Sequence, residues 1–179
     1  ELMEDYEVKE FVGEYNPEHY LLKHDNPLAV GPYGTSPYYM EVKRAQAQAM
    51  KDAMPIIMDV AKRFEKVTGR KYGFFEEYMM DDAEYCVVAF GIAARVSKNA
   101  VTEARKQGIK VGLIRPITLW PFPTKVLNKA ADKVKGFISV ELSMGQMIED
   151  VKLAIDCARP VKLCNRTGGM IEKKKKGFN

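Results

Sequence analysis

A chain of 179 residues with 46% apolar side chains can bury one proper core and some peripheral structure, but hardly two independent domains. Its formal charge of +4 is carried by residues 166–179, where Arg166 and Lys173 to Lys176 outweigh Glu172 and leave the rest of the chain neutral. No aromatic residues interleave with that basic tail for base stacking, and no run of about 18 apolar residues is present, which argues against nucleic-acid and membrane partners.

Residues 1–39 read as an irregular segment. Pro17, Pro27, Pro32 and Pro37, with Gly13, Gly31 and Gly34, break any long helix or strand, while six tyrosines suit a segment that wraps along a surface. The N-terminus at Glu1 has neither an initiator Met nor a signal peptide and is expected to be that of a fragment. Residues 40–67 carry a helical period in Val42, Ala45, Ala49, Ala53, Ile56, Val60, Phe64 and Val67. Pro55 is expected to kink this long helix and Gly69 to stop it; its apolar stripe calls for a docking partner. Residues 70–82 read as a polar connector.

From Tyr85 onward strands and helices alternate. Tyr85–Phe90 is a continuous apolar run closed by Gly91, as in a buried parallel strand. A helix over 92–107 stopped by Gly108, a strand over 109–114, and a helix from a Thr124 cap to about Val134 follow. Strand 137–140, helix 146–158 and a short strand 161–164 complete the pattern. The alternation predicts an α/β domain over 83–170: an open, mainly parallel sheet of four or five strands flanked by helices, with 171–179 as a disordered basic tail.

Candidate chemistry is sparse. Gly91 opens a helix at a strand end, a position that attracts anions, but a dinucleotide fingerprint needs three glycines where this turn has one. The segment Arg115-Pro116-Ile117-Thr118-Leu119-Trp120-Pro121-Phe122-Pro123 is stiffened by three prolines and offers Trp120 and Phe122 as rigid anchors at the functional edge of the sheet. Glu141 ends the third strand at the same edge, shortly before Gln146, and is expected to pair with Arg115 on a neighbouring strand. His19 and His24 lack a third metal ligand, and Ser143 lacks both a base and a strained glycine turn. The odd, scattered cysteines Cys86, Cys157 and Cys164 suit reduced thiols in a cytoplasmic protein. No catalytic, cofactor-binding or metal-ligating constellation emerges. The candidate contact residues are Gly91, Arg115, Pro116, Trp120, Phe122, Glu141 and Gln146.

Several of these stretches occur together in one family. Cys86-Val87-Val88-Ala89-Phe90-Gly91, Gly108 to Pro123, Val140-Glu141-Leu142-Ser143-Met144-Gly145-Gln146-Met147 and Asn165-Arg166-Thr167-Gly168-Gly169 resemble, in order, the alpha subunit of 2-oxoacid:ferredoxin oxidoreductases. The similarity covers residues 83–170, the C-terminal, transketolase C-terminal-like domain, and extends loosely to Lys43-Arg44. Ile92-Ala93 departs from the small polar residue that many relatives carry after the glycine. The resemblance implies a non-catalytic structural and assembly domain whose partners are an N-terminal pyrimidine-type thiamine domain of the same subunit, a beta subunit and, through the complex, ferredoxin. It implies thiamine diphosphate, Mg and an iron–sulfur cluster in the parent complex, with coenzyme A as co-substrate and none of these in this segment. Which 2-oxoacid is used (pyruvate, 2-oxoglutarate or a branched-chain acid) would be set by residues elsewhere. The competing reading is a stand-alone Rossmann-like nucleotide- or effector-binding module.

Overall fold

The computed structural model describes residues 2–20, 22–28, 34–36 and 38–168, and the chain divides into two compact units between Tyr72 and Gly73. The basic run Lys173–Lys176, expected to be a disordered tail, lies outside the described residues.

The first unit contains two helices, α1 (Asp5–Val12) and α2 (Tyr38–Thr68). Helix α1 falls in the stretch expected to be irregular; the breakers begin only at Gly13, and the Glu7 carboxylate accepts the Glu4 amide at 2.9 Å. Phe11 of α1 meets Phe64 of α2 edge-on at 5.3 Å, and the Arg63 guanidinium lies over the Phe11 ring. Helix α2 continues through Pro55 and ends at Gly69, whose φ of +68° is open to glycine without strain. Neither helix has a buried residue.

The second unit is a five-stranded sheet in the order β1-β3-β2-β4-β5, formed by β1 (Phe75–Tyr78), β2 (Tyr85–Ala89), β3 (Val111–Pro116), β4 (Gly136–Glu141) and β5 (Val161–Asn165). Strand β1 pairs antiparallel with β3, and the remaining pairs are parallel, as expected of an α/β sheet. The connector expected over 70–82 thus contains an edge strand. Only one face of β1 is half-buried, so its pattern alternates instead of forming the apolar run of the inner strands.

Three helices cover the sheet. Helix α3 (Gly91–Lys106) packs Ala93, Ala94 and Val101 against Val87, Ala89 and Leu113 on one face. Helices α4 (Thr124–Ala131) and α5 (Met147–Ala154) pack on the other face against Cys86, Val88, Ile114 and Phe137. Thr124 is the first residue of α4, not its cap; its hydroxyl points back to the Phe122 carbonyl and the cap position is Pro123. Helix α5 ends four residues before the expected Ala158, because Asp156 and Cys157 both take positive φ.

The strand order has a consequence for the site. The chain leaves β2 through α3 to reach β3 on one side, then returns past β2 through α4 to reach β4 on the other. Strand order therefore reverses around β2, and its C-terminal end is where an open α/β sheet leaves a crevice.

Candidate functional site: the C-terminal edge of the parallel strands

Strands β2, β3, β4 and β5 run parallel, so Gly91, Arg115, Glu141 and Asn165 all arrive at one edge. What each does there differs.

Glu141 is 1% exposed, and its carboxylate is fully used within the domain. It accepts hydrogen bonds from the Ser139 and Ser143 hydroxyls at 2.9 and 2.8 Å, and from the Met147 and Ile148 amides at 3.0 and 2.8 Å. Burial pushes the carboxyl pKa up, but these donors more than offset it and hold the group below the usual carboxylate range. The side chain closes the N-terminus of α5 from the preceding strand, a charged cap for amides that the helix leaves unpaired. The Arg115–Glu141 pair expected from the sequence does not form. Strand β2 separates β3 from β4, and Arg115 instead donates from Nη1 to the Glu76 carboxylate at 3.0 Å.

Glu76 also accepts the Lys98 ammonium from α3. The Lys98 hydrogen bond is the largest influence on its carboxyl; burial opposes it, and the Arg115 hydrogen bond adds to the lowering, so the pKa falls below the usual carboxylate range. Lys98 also lies over the Tyr78 ring at 5.4 Å. Sequence reading passed over Glu76, Arg95 and Lys98. The alternation Phe75-Glu76-Glu77-Tyr78 and the three-residue spacing of Arg95 and Lys98 on one helix face were the available signals.

The remaining candidates divide by exposure. Pro116 is fully buried opposite Phe75 and supplies packing, while Phe122 is half-buried against the α4–α5 core. Gly91 and Gln146 are exposed, and Trp120 is 62% exposed. The loop bearing Trp120 is pinned at its base: the Ile117 amide donates to the Phe74 carbonyl at 2.9 Å, and the Thr118 hydroxyl donates to the Pro121 carbonyl at 2.8 Å. Each of the three central strands ends in a pair of exposed apolar residues: Phe90 and Ile92, Leu119 and Trp120, Leu142 and Met144. Among the described residues no group of three or more His, Cys, Asp or Glu side chains is placed to hold a metal ion.

The family model described as "Pyruvate:ferredoxin oxidoreductase core domain II" matches residues 83–175, just over half of the chain. The chain belongs to that family. A pyruvate synthase subunit PorA of Thermotoga maritima is 37% identical over 161 residues, 86% of this chain and 41% of that protein. The ketoisovalerate oxidoreductase subunit VorB of Methanothermobacter marburgensis is 57% identical over 95 residues, 53% of this chain and 27% of that protein. A solved 2-oxoglutarate:ferredoxin oxidoreductase from Magnetococcus marinus is similar over 65% of this chain and 20% of that one, at 18% identity and a TM-score of 0.46. The chain spans well under half the length of the curated relatives it matches. The matched core domain II covers β2 to β5, with β1 just ahead of it, and the candidate site lies at the edge where β2, β3 and β4 end.

Proposed function

We propose that this chain is the C-terminal assembly domain of the alpha subunit of a thiamine diphosphate-dependent 2-oxoacid:ferredoxin oxidoreductase. The parent complex would oxidatively decarboxylate a 2-oxoacid to the acyl-coenzyme A and pass electrons to ferredoxin. Thiamine diphosphate, Mg, the iron–sulfur cluster and coenzyme A would be held by other domains, and the complex would work in the cytoplasm. The chemistry of such a reaction belongs to the cofactors; protein domains orient and enclose them.

The observation that carries this reading is the apolar edge. Three strand ends offer exposed apolar pairs, Trp120 sits on a loop held at its base, and the carboxylate at that edge is consumed by its own helix. Rigid aromatic anchors on preformed loops are what dominates contact energies between subunits. The partner seated there would be the pyrimidine-type domain of the same subunit or the beta subunit. Of residues 1–82, expected as a wrapping segment and docking helix, the part before the unit boundary at Tyr72 would serve that role, since α1 and α2 have no buried residue.

The test is Trp120→Ala in the full complex, read by native mass and by subunit dissociation. A central aromatic anchor contributes about 2 kcal/mol or more, so dissociation at roughly thirtyfold lower dilution is expected. Intact assembly with normal turnover would remove the proposal.

A further inference from the structure

The start of α3 and the end of β3 enclose a cavity of about 330 Å³ lined by Gly91, Ile92, Ala94, Arg95, Lys98 and Arg115. Three of these six residues are cations, and one carboxylate, Glu76, is paired with two of them. The site therefore keeps a surplus of two positive charges. Among the described residues Arg95 has no ion pair or hydrogen-bond partner and stands exposed at the rim.

The backbone adds to this. Ala94 is the first amide of α3 with a helical acceptor, the Phe90 carbonyl at 3.2 Å, which leaves the three amides before it unpaired within the helix. No side chain caps this end, and no acidic residue lies in its first turn. Gly91, at φ +55°, has nothing within 4 Å of where a side chain would begin, so a ligand atom can approach the main chain. The cavity opens beside the end of β2, where the strand order reverses.

We propose that this cavity binds a phosphate-bearing ligand, gripped by Arg95, Lys98 and Arg115. A singly charged carboxylate would leave one cation uncompensated, whereas a phosphate dianion matches the surplus. Guanidinium groups also present paired donors with the spacing of phosphate oxygens. This site shares Ile92 with the apolar edge, but Trp120 does not line it and its three cations are not among the apolar pairs, so failure to bind phosphate would leave the assembly reading untouched.

The experiment is a calorimetric titration of the 179-residue chain with inorganic pyrophosphate at fixed ionic strength. Saturable binding is expected. Arg95→Ala should weaken it about tenfold, the effect of one charge-assisted contact. Glu76→Gln, which releases Lys98 and Arg115, should strengthen it, a direction that simple loss of structure would not produce. Lys152→Ala, an exposed lysine on α5, removes the same net charge and should leave binding unchanged. Absence of saturable binding at millimolar pyrophosphate would overturn the proposal. So would equal losses in Arg95→Ala and Lys152→Ala, which would reveal surface charge alone. If pyrophosphate is silent while Arg95→Ala weakens subunit association, the cavity is a protein contact and the proposal falls.

Discussion

Glu141 makes four hydrogen bonds from a site with almost no solvent exposure, and its acceptors cannot be replaced by water. Glu141→Gln presents an amide NH₂ to a backbone amide that can only donate and to a serine hydroxyl that must turn to accept, and it removes the charge facing the α5 N-terminus. A loss of about 2–3 kcal/mol is expected in urea unfolding at pH 7. The sign of the pH dependence follows from the lowered pKa. The stabilisation is complete above the ordinary value of 4.5 and is lost as pH falls through the folded-state pKa. The variant should therefore lose stability less steeply than the parent below pH 4.5. Cysteine chemistry is decided at the same scale. Cys86 is fully buried and its thiol is pushed up to about 12 by that burial, whereas Cys157 and Cys164 are exposed. A thiol-specific disulfide reagent at pH 8 should modify Cys157 and Cys164 in the folded chain and reach Cys86 only after denaturant is added.

At the scale of elements, the edge strand β1 is held by more than its pairing with β3. Arg105, in the last turn of α3, donates to the Val111 and Met79 carbonyls at 2.8 and 2.7 Å and to the Asp82 carboxylate at 2.7 Å. One side chain thus ties the helix, the start of β3 and the turn between β1 and β2. That turn lies directly on Gly112, where a Cβ would sit 2.6 Å from the Met79 carbonyl oxygen. Because the obstacle is backbone, Gly112→Ala must displace the turn or the strand. Destabilisation of about 1–3 kcal/mol is expected, measured by thermal or urea unfolding. A wild-type midpoint for the alanine variant would show that the turn yields without cost.

On the scale of the whole molecule, the charge distribution and the apolar edge assign different surfaces to different work. With the body neutral, the proposed docking at the sheet edge would rest on area and fit, not on long-range attraction to polyanions. The Trp120→Ala experiment measures that contribution in the complex, and the pyrophosphate titration measures the basic cavity a few residues away. The two readouts separate because Trp120 is not among the residues lining the cavity. Helix α2 extends the same logic. An amphipathic helix of 31 residues with no buried side chain meets α1 at Phe64 and leaves Val42, Ile56 and Val60 of its apolar stripe exposed.

Much of this protein was determined by local pattern. An apolar run closed by Gly91 marked β2, another between Gly108 and Arg115 marked β3, a 3.6-residue period marked α2, and the stretch from Arg115 to Pro123 was distinctive enough to place the family. Such features depend only on neighbours along the chain, and a linear reading captures them. Strand order does not: Arg115 and Glu141 both end inner strands, yet which strand lies between them is settled only when α3 and α4 cross the sheet in opposite directions. The same holds for Glu76, whose partners are 22 and 39 residues away. Its role arises because an antiparallel edge strand brings it against α3 and β3. Burial finally distinguished the two halves of the candidate list. Glu141 and Pro116 turned inward to cap and pack, while Gly91, Trp120 and Gln146 remained at the surface. Solvent exposure is a property of the assembled sheet and its helices, and no spacing of residues along the chain encodes it alone.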